Sequence, residues 1–203
     1  MTWQYFVLPL VLLCLWGLQE EGAQACSCLP MHPQQVFCQK DVVVIRAKVV
    51  GVTHATPVKR LTKYDIEQTK YFKGSKKRFR DVYTAPSSAA CGVTLTNGVE
   101  YLLMGRLEPD RTLRMVLCDF YKPWSALSSV QRVLLYRYDQ GCHCTIKSCF
   151  SYPCCITGSS VCLWRDVLEG KMGNGEQAQN AACIRKKDGS CGWHYVPSWP
   201  PQG

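Results

Sequence analysis

The longest apolar run is the first one, Phe6 to Leu18, followed by Glu20 and Glu21 and then by Ala23-Gln24-Ala25. It falls short of the roughly 20 apolar residues that span a bilayer comfortably. With small residues in an A-x-A arrangement behind it, it predicts the apolar core of a secretory signal, cut after Ala25. Met1 to Tyr5 lacks the usual Lys or Arg. No second long apolar stretch follows, so a secreted protein without a membrane span is expected.

Beyond residue 25 the pattern becomes that of short strands. Val42-Val43-Val44-Ile45 and Ala47 to Val50 form a β-branched run broken by Arg46 and Lys48, which predicts a strand. Tyr64 to Phe72 reads as a second strand and Asp81 to Thr84 as a short third. Asn97-Gly98 marks a tight turn. Val99 to Leu107 and Thr112 to Cys118 read as paired strands joined at Glu108-Pro109-Asp110. Five or six antiparallel strands with few helices can remove their exposed edges by closing into a small barrel. One short helix is expected from Pro33 to Gln39. Ser128-Ser129-Val130-Gln131 reads as a capping box that opens another. Val130, Val133, Leu134 and Tyr138 then give one apolar face for packing on the barrel, with a stop at Gly141.

The cysteines divide the chain. Cys26, Cys28 and Cys38 cluster early and Cys91 and Cys118 stand alone, while Cys142, Cys144, Cys149, Cys154, Cys155, Cys162, Cys183 and Cys191 crowd the last third. Without Cys14 of the signal, thirteen of the fourteen remain, so an oxidising compartment would leave one unpaired. The expected organisation is a signal over 1–25, a first domain over 26–142 and a small stapled domain over 143–203. The signal carries two acids and no base, so its removal raises the formal charge from +9 to +11. Lys73, Lys76, Lys77, Arg78 and Arg80 concentrate part of that charge around Gly74. Such a run suits a sulfated glycosaminoglycan as well as it suits a plain solvated loop.

Candidate chemistry centres on Cys26-Ser27-Cys28-Leu29-Pro30. Cleavage after Ala25 frees the α-amino group of Cys26. An amine and a carbonyl oxygen on one rigid residue can chelate a metal together, so Cys26 is the candidate ligand for the zinc of another protein. Cys142-His143-Cys144 has the look of a metal motif, but secretion favours disulfides there. His32, His54, His143 and His194 show no H-E-x-x-H spacing, and neither Cys155 nor His143 has a visible base or orienting partner, so an enzyme is not expected. There is no Gly-rich phosphate loop and no N-glycosylation sequon. Nucleic acid is not expected as a partner.

Several words of the chain closely resemble the tissue inhibitors of metalloproteinases. They are Cys26-x-Cys28, His32-Pro33-Gln34, Cys38, Val44-Ile45-Arg46-Ala47-Lys48, Tyr83 to Gly92, Cys118-Asp119-Phe120, Pro123-Trp124, Cys162-Leu163-Trp164 and Asp188-Gly189-Ser190-Cys191. The second type of the family is nearest over Tyr83 to Gly92. The resemblance implies a mainly β protein with a few helices: an N-terminal netrin-like OB-fold closed barrel and a small disulfide-rich C-terminal β domain. It implies the bonds Cys26–Cys91, Cys28–Cys118, Cys38–Cys142, Cys144–Cys191, Cys149–Cys154 and Cys162–Cys183. Cys155 has no counterpart, so Cys154 and Cys155 are rivals for Cys149.

The function implied is secreted inhibition of matrix metalloproteinases and related zinc endopeptidases, regulating extracellular matrix turnover. The protein would need no cofactor of its own, since the zinc is the protease's. Ser27 would stand at the mouth of the main specificity pocket, and Cys28, Leu29 and Pro30 would lie along the substrate groove. Ser87, Ser88, Ala89 and Ala90 would join them through Cys91. The alternative is a netrin-like matrix-binding or signalling module without inhibitory activity. The stretch from Val50 to Asp65 is short, so extra contacts from a long loop are not expected. The tail Val196 to Gly203 lacks the acidic residues that the resemblance associates with docking onto a progelatinase.

Overall fold

A computed structural model describes residues 26–196. The expected signal segment and the tail beyond Val196 lie outside the described residues. The first elements are helix α1 (Pro33–Phe37) and strands β1 (Val42–Thr53), β2 (Thr62–Lys73), β3 (Asp81–Thr84), β4 (Glu100–Leu107), β5 (Leu113–Arg114) and β6 (Phe120–Pro123). The strand order is β1-β2-β3-β5-β4-β6, and β1 also pairs with β4, which closes the first five into a barrel.

Alternation along β1 builds two layers at once. Val43, Ile45, Ala47 and Val49 point into the barrel, where they meet Tyr64, Ile66, Val82, Leu103 and Met115. Val42 and Val44 face the other way and are buried with Leu102 and Met104 of β4 beneath the helices. Both faces of the strand are covered there, which is why its first four residues are all apolar. Past Ile45 the outer cover thins: Arg46 lies against the Trp124 ring, 4.4 Å from its centroid, and Lys48 is exposed.

Two strand expectations need correcting. Thr112 to Cys118 is not one strand: only Leu113–Arg114 is, pairing antiparallel with β4 as expected, and Phe120–Pro123 pairs with β4 further along. The barrel is not wholly antiparallel either, because β3 and β5 run parallel, with Tyr83 opposite Arg114. The β1–β2 connection is short as expected, spanning 54–61.

The capping box at Ser128 forms as expected. Ser128 Oγ accepts from Gln131 N–H at 3.0 Å, and Gln131 Oε1 accepts from Ser128 N–H at 3.3 Å. The helix it opens, α2 (Ser129–Leu134), is shorter than expected, and a separate 3-10 turn covers Tyr138–Gly141. Val130, Leu134 and Tyr138 pack on the outer face of the barrel. Val133 does not, being 46% exposed.

Past Cys142 come β7 (Thr145–Ser148), β8 (Val161–Trp164), helix α3 (Glu176–Asn180), β9 (Ala181–Arg185) and β10 (Cys191–Tyr195). They form two two-stranded sheets, β7–β8 parallel and β9–β10 antiparallel. Trp164 is fully buried at their centre with Ile146, Ala178, Cys162 and Cys183. Ala182 and Ile184 of β9 lean the other way, onto the helix layer of the barrel. The approach is close at Gly141, where a Cβ would stand 1.6 Å from the carbonyl oxygen of Cys183, so no other residue fits.

Candidate functional site

The candidate site begins where the described chain begins. Cys26 is bonded to Cys91 and Cys28 to Cys118, with Cα–Cα distances of 5.2 Å in both pairs. The sulfurs of Cys26, Cys28 and Cys118 lie within 4.8 Å of one another, so the two bridges sit side by side. All three are committed to disulfides and offer no thiolate to a metal. The same holds for the sulfurs of Cys144, Cys183 and Cys191, which also cluster. The other bridges are Cys38–Cys142, Cys144–Cys191, Cys149–Cys154 and Cys162–Cys183, which leaves Cys155 free and exposed.

Bonding at both Cys26 and Cys28 holds the segment between them against the barrel. Closing a loop of 65 residues through Cys26–Cys91 is worth about 4 kcal/mol in the chain-entropy account. Leu29, one residue on, is 82% exposed, an apolar side chain with no packing role in the free protein. Among the described residues no backbone N–H donates to the Cys26 carbonyl.

The second segment, Ser87 to Cys91, is folded back on itself. Ser87 O accepts from Ala90 N–H at 3.1 Å and from Gly92 N–H at 2.7 Å, and Ser88 O accepts from Cys91 N–H at 3.0 Å. Cys91 takes a left-handed φ of 63°, uncommon for a residue with a Cβ. Its carbonyl accepts from Leu117 N–H at 2.8 Å, beside the Cys118 bridge. At Gly92 a Cβ would stand 2.2 Å from the oxygen of Ala85, so the turn requires glycine. Asp119 closes the other flank, its Oδ2 accepting from Val116 N–H at 2.8 Å. Burial raises the pKa of that carboxyl group. Ser87, Ser88, Ala89 and Ala90 are all exposed. The two segments thus lie together, joined by one bridge and open to solvent.

Sequence reasoning missed what stands behind them. Three residues after Leu29, His32 is fully buried. Its Nδ1 accepts from Gln34 N–H at 3.2 Å, capping α1, and its Nε2–H donates to the carbonyl of Gln177 at 3.2 Å. Trp164 and Trp193 flank the ring with centroids 5.5 and 5.1 Å away. Burial lowers the His32 pKa to about 4, so the imidazole is neutral. Gln34 is buried too. Its Nε2 donates to Tyr138 O at 3.0 Å and Cys183 O at 2.8 Å, and its Oε1 accepts from Cys183 N–H at 2.8 Å. The visible signal was His32-Pro33-x-Gln35, a capping box with proline at the first helical position.

The basic run is less uniform than its sequence suggests. Lys73 Nζ donates to the carbonyl oxygens of Phe37 and Gln39, and burial lowers its pKa. Lys76, Lys77, Arg78 and Arg80 remain exposed.

A family model described as tissue inhibitor of metalloproteinase matches residues 24–193. The chain belongs to the tissue inhibitor of metalloproteinase family. Among its relatives, metalloproteinase inhibitor 2 of Cavia porcellus is 46% identical over 201 residues, 94% of this chain and 90% of that protein. Metalloproteinase inhibitor 2 of Homo sapiens is 46% identical over 191 residues, covering 89% and 86%. That of Gallus gallus is 42% identical over 191 residues, again 89% and 86%. The relatives are named as inhibitors, so the family member described here is an inhibitor-type protein and not an enzyme. Its closed barrel agrees with the OB-fold expected of the family's first domain. No helix of the described residues is long and apolar enough to cross a membrane.

Proposed function

We propose that this protein is secreted, and that it inhibits matrix metalloproteinases and related zinc endopeptidases through the amine and carbonyl of Cys26. The observation that carries the reading is the doubly bridged, solvent-open ridge of Cys26–Pro30 and Ser87–Cys91. A ridge held in place before the partner arrives lowers the ordering cost of binding. In the complex, the α-amino nitrogen and carbonyl oxygen of Cys26 take the place of the water on the protease's zinc, the position a catalytic zinc keeps exchangeable. Ser27 faces the specificity pocket, and Leu29 lies in the groove with its backbone extended by Pro30. An α-amino group with a pKa of about 7.7–8.0 is on the order of one-tenth free base at pH 7. Deprotonation then costs about 1.4 kcal/mol, small beside the roughly 12 kcal/mol of a nanomolar complex.

Adding one alanine before Cys26 tests this. The extended protein should lose inhibition by orders of magnitude in titration against a panel of zinc endopeptidases, with thermal unfolding unchanged. Full inhibition by the extended protein would exclude chelation by the terminal residue. N-terminal sequencing of the exported protein should begin at Cys26. A second partner class is sulfated glycosaminoglycan, supported by the exposed basic run and the formal charge of +9 before cleavage. Heparin affinity without any protease inhibition would favour a netrin-like matrix module instead.

A further inference from the structure

The strands β3 and β5 are far apart in sequence, yet they run side by side from one concavity. A cavity of about 300 Å³ opens at their starts, lined by Lys77, Arg78 and Arg80 ahead of β3, by Arg111 ahead of β5, and by Asp81 and Tyr83. Arg111 is 31 positions beyond Arg80, so nothing in the sequence groups it with the basic run. The fold brings it there on a turn with φ of 67°, closed by Arg111 N–H donating to Glu108 O at 2.8 Å.

All four cations are exposed, and among the described residues none is within ion-pair distance of a carboxylate. The single acid, Asp81, is engaged by Lys63 at 3.5 Å. A neighbouring cavity shares Arg78, Arg80 and Asp81 with this one but adds Asp65 and Glu67, so the positive surface does not extend that way. Arg78 spends one N–H on the carbonyl of Gln68 at 3.2 Å and keeps the rest of its fork. Four cations without a carboxylate partner around one concavity, three of them guanidinium forks, suit closely spaced sulfate groups. A nucleic acid is less suited. Phe79 is buried and Tyr83 half-buried, so no open aromatic face is offered for a base to stack on.

We infer that Lys77, Arg78, Arg80 and Arg111 form one binding site for a sulfated glycosaminoglycan chain, with Arg111 as its non-local member and Lys73 outside it. This rests on the glycosaminoglycan reading above and gives that partner a place. From this cavity β3 (Asp81–Thr84) runs toward the Ser87–Cys91 turn. Its four extended residues span about 13 Å. The glycan site therefore lies at the start of β3 and the ridge beyond its end, so matrix attachment and protease binding can occur together.

The test is the affinity of the full secreted chain for heparin at about 0.15 M salt, with desulfated heparin and a single-stranded oligonucleotide as comparison ligands. Arg111→Asn removes the charge with a residue that tolerates a left-handed backbone. It should weaken heparin binding about five-fold, the value of one exposed ion pair. Arg80→Ala combined with it should weaken binding further, while exposed Lys40→Ala should not change it. Inhibition of a protease in the presence of saturating heparin should persist. Wild-type heparin affinity in the Arg111→Asn and Arg80→Ala proteins would overturn this site while leaving the partner class standing. No binding by the unmodified chain would overturn both. Equal binding of desulfated heparin, or of the oligonucleotide, would overturn the assignment to sulfated glycan. Loss of inhibition under heparin would overturn the separation of the two sites.

Discussion

The interior of the barrel is lined by fourteen buried side chains, none of them a cysteine, whereas the carboxy-terminal core has five, and two of those are half-cystines. The first is a conventional apolar interior that a chain of this length can fill. The second is too small to stand on burial alone, so covalent bonds replace missing area. It also borrows. Ala182 and Ile184 pack on the barrel's helix layer, and His32 and Gln34 reach from the amino-terminal segment into hydrogen bonds with Gln177 and Cys183. The two regions therefore differ in what they can lose. The barrel carries the ridge on a core of its own, and the carboxy-terminal region depends on single keystones.

The sharpest way to break the contrast is at Trp164. Replacing this fully buried side chain by alanine should cost about 3–5 kcal/mol. Amide-exchange protection should collapse in β7 to β10 and survive in β1 and β4. If the barrel lost protection at the same denaturant concentration, the two regions would be one cooperative unit and the comparison would fail.

A slightly smaller effect comes from His32, where the regions meet. The unfolded imidazole protonates near 6.5, and burial lowers the folded value to about 4. Stability from this group is complete above 6.5. It falls as the pH drops toward 4, because the unfolded chain takes up a proton that the folded chain resists. The step is about 3 kcal/mol in total. Denaturant titrations across that range should show a step of this size that is missing in His32→Asn. Asparagine can still cap the helix but does not titrate. The nearest acid, Asp166, opposes the shift but is outweighed by burial. An identical step in the variant would remove His32 as its source.

The smallest expected change is at Cys155. It is exposed and unpaired, so Cys155→Ser should alter stability by less than about 0.5 kcal/mol. A larger loss on thermal unfolding would show that the thirteenth cysteine takes part in holding the carboxy-terminal region after all.

Much of the barrel was legible because its signals are local. The β-branched run at Val42, the strand at Asp81–Thr84 and the Ser128 capping box all depend on neighbours within a few residues. The β3–β5 pairing was not legible, since a two-residue strand has no periodicity to read. Nor was the depth of His32 and Gln34. Polar side chains are ordinarily read as exposed, and theirs are buried only because backbone groups about 145 and 149 positions away satisfy them. In the ridge, the exposed pair of segments could be named from the sequence only through the family resemblance. Without it, Ser87 to Ala90 is an ordinary polar loop.

By itself the amino-acid order settled which short segments become strands or helix starts, because backbone preference, capping and alternation act between near neighbours. It also settled the number of cysteines available for bonding. Tertiary structure alone decided that Arg111 would join the cations of the basic run, that Lys73 would leave them, and that His32 and Gln34 would be buried against the carboxy-terminal region. Those outcomes depend on where a closed barrel returns the chain after tens of residues, and no local preference carries that distance.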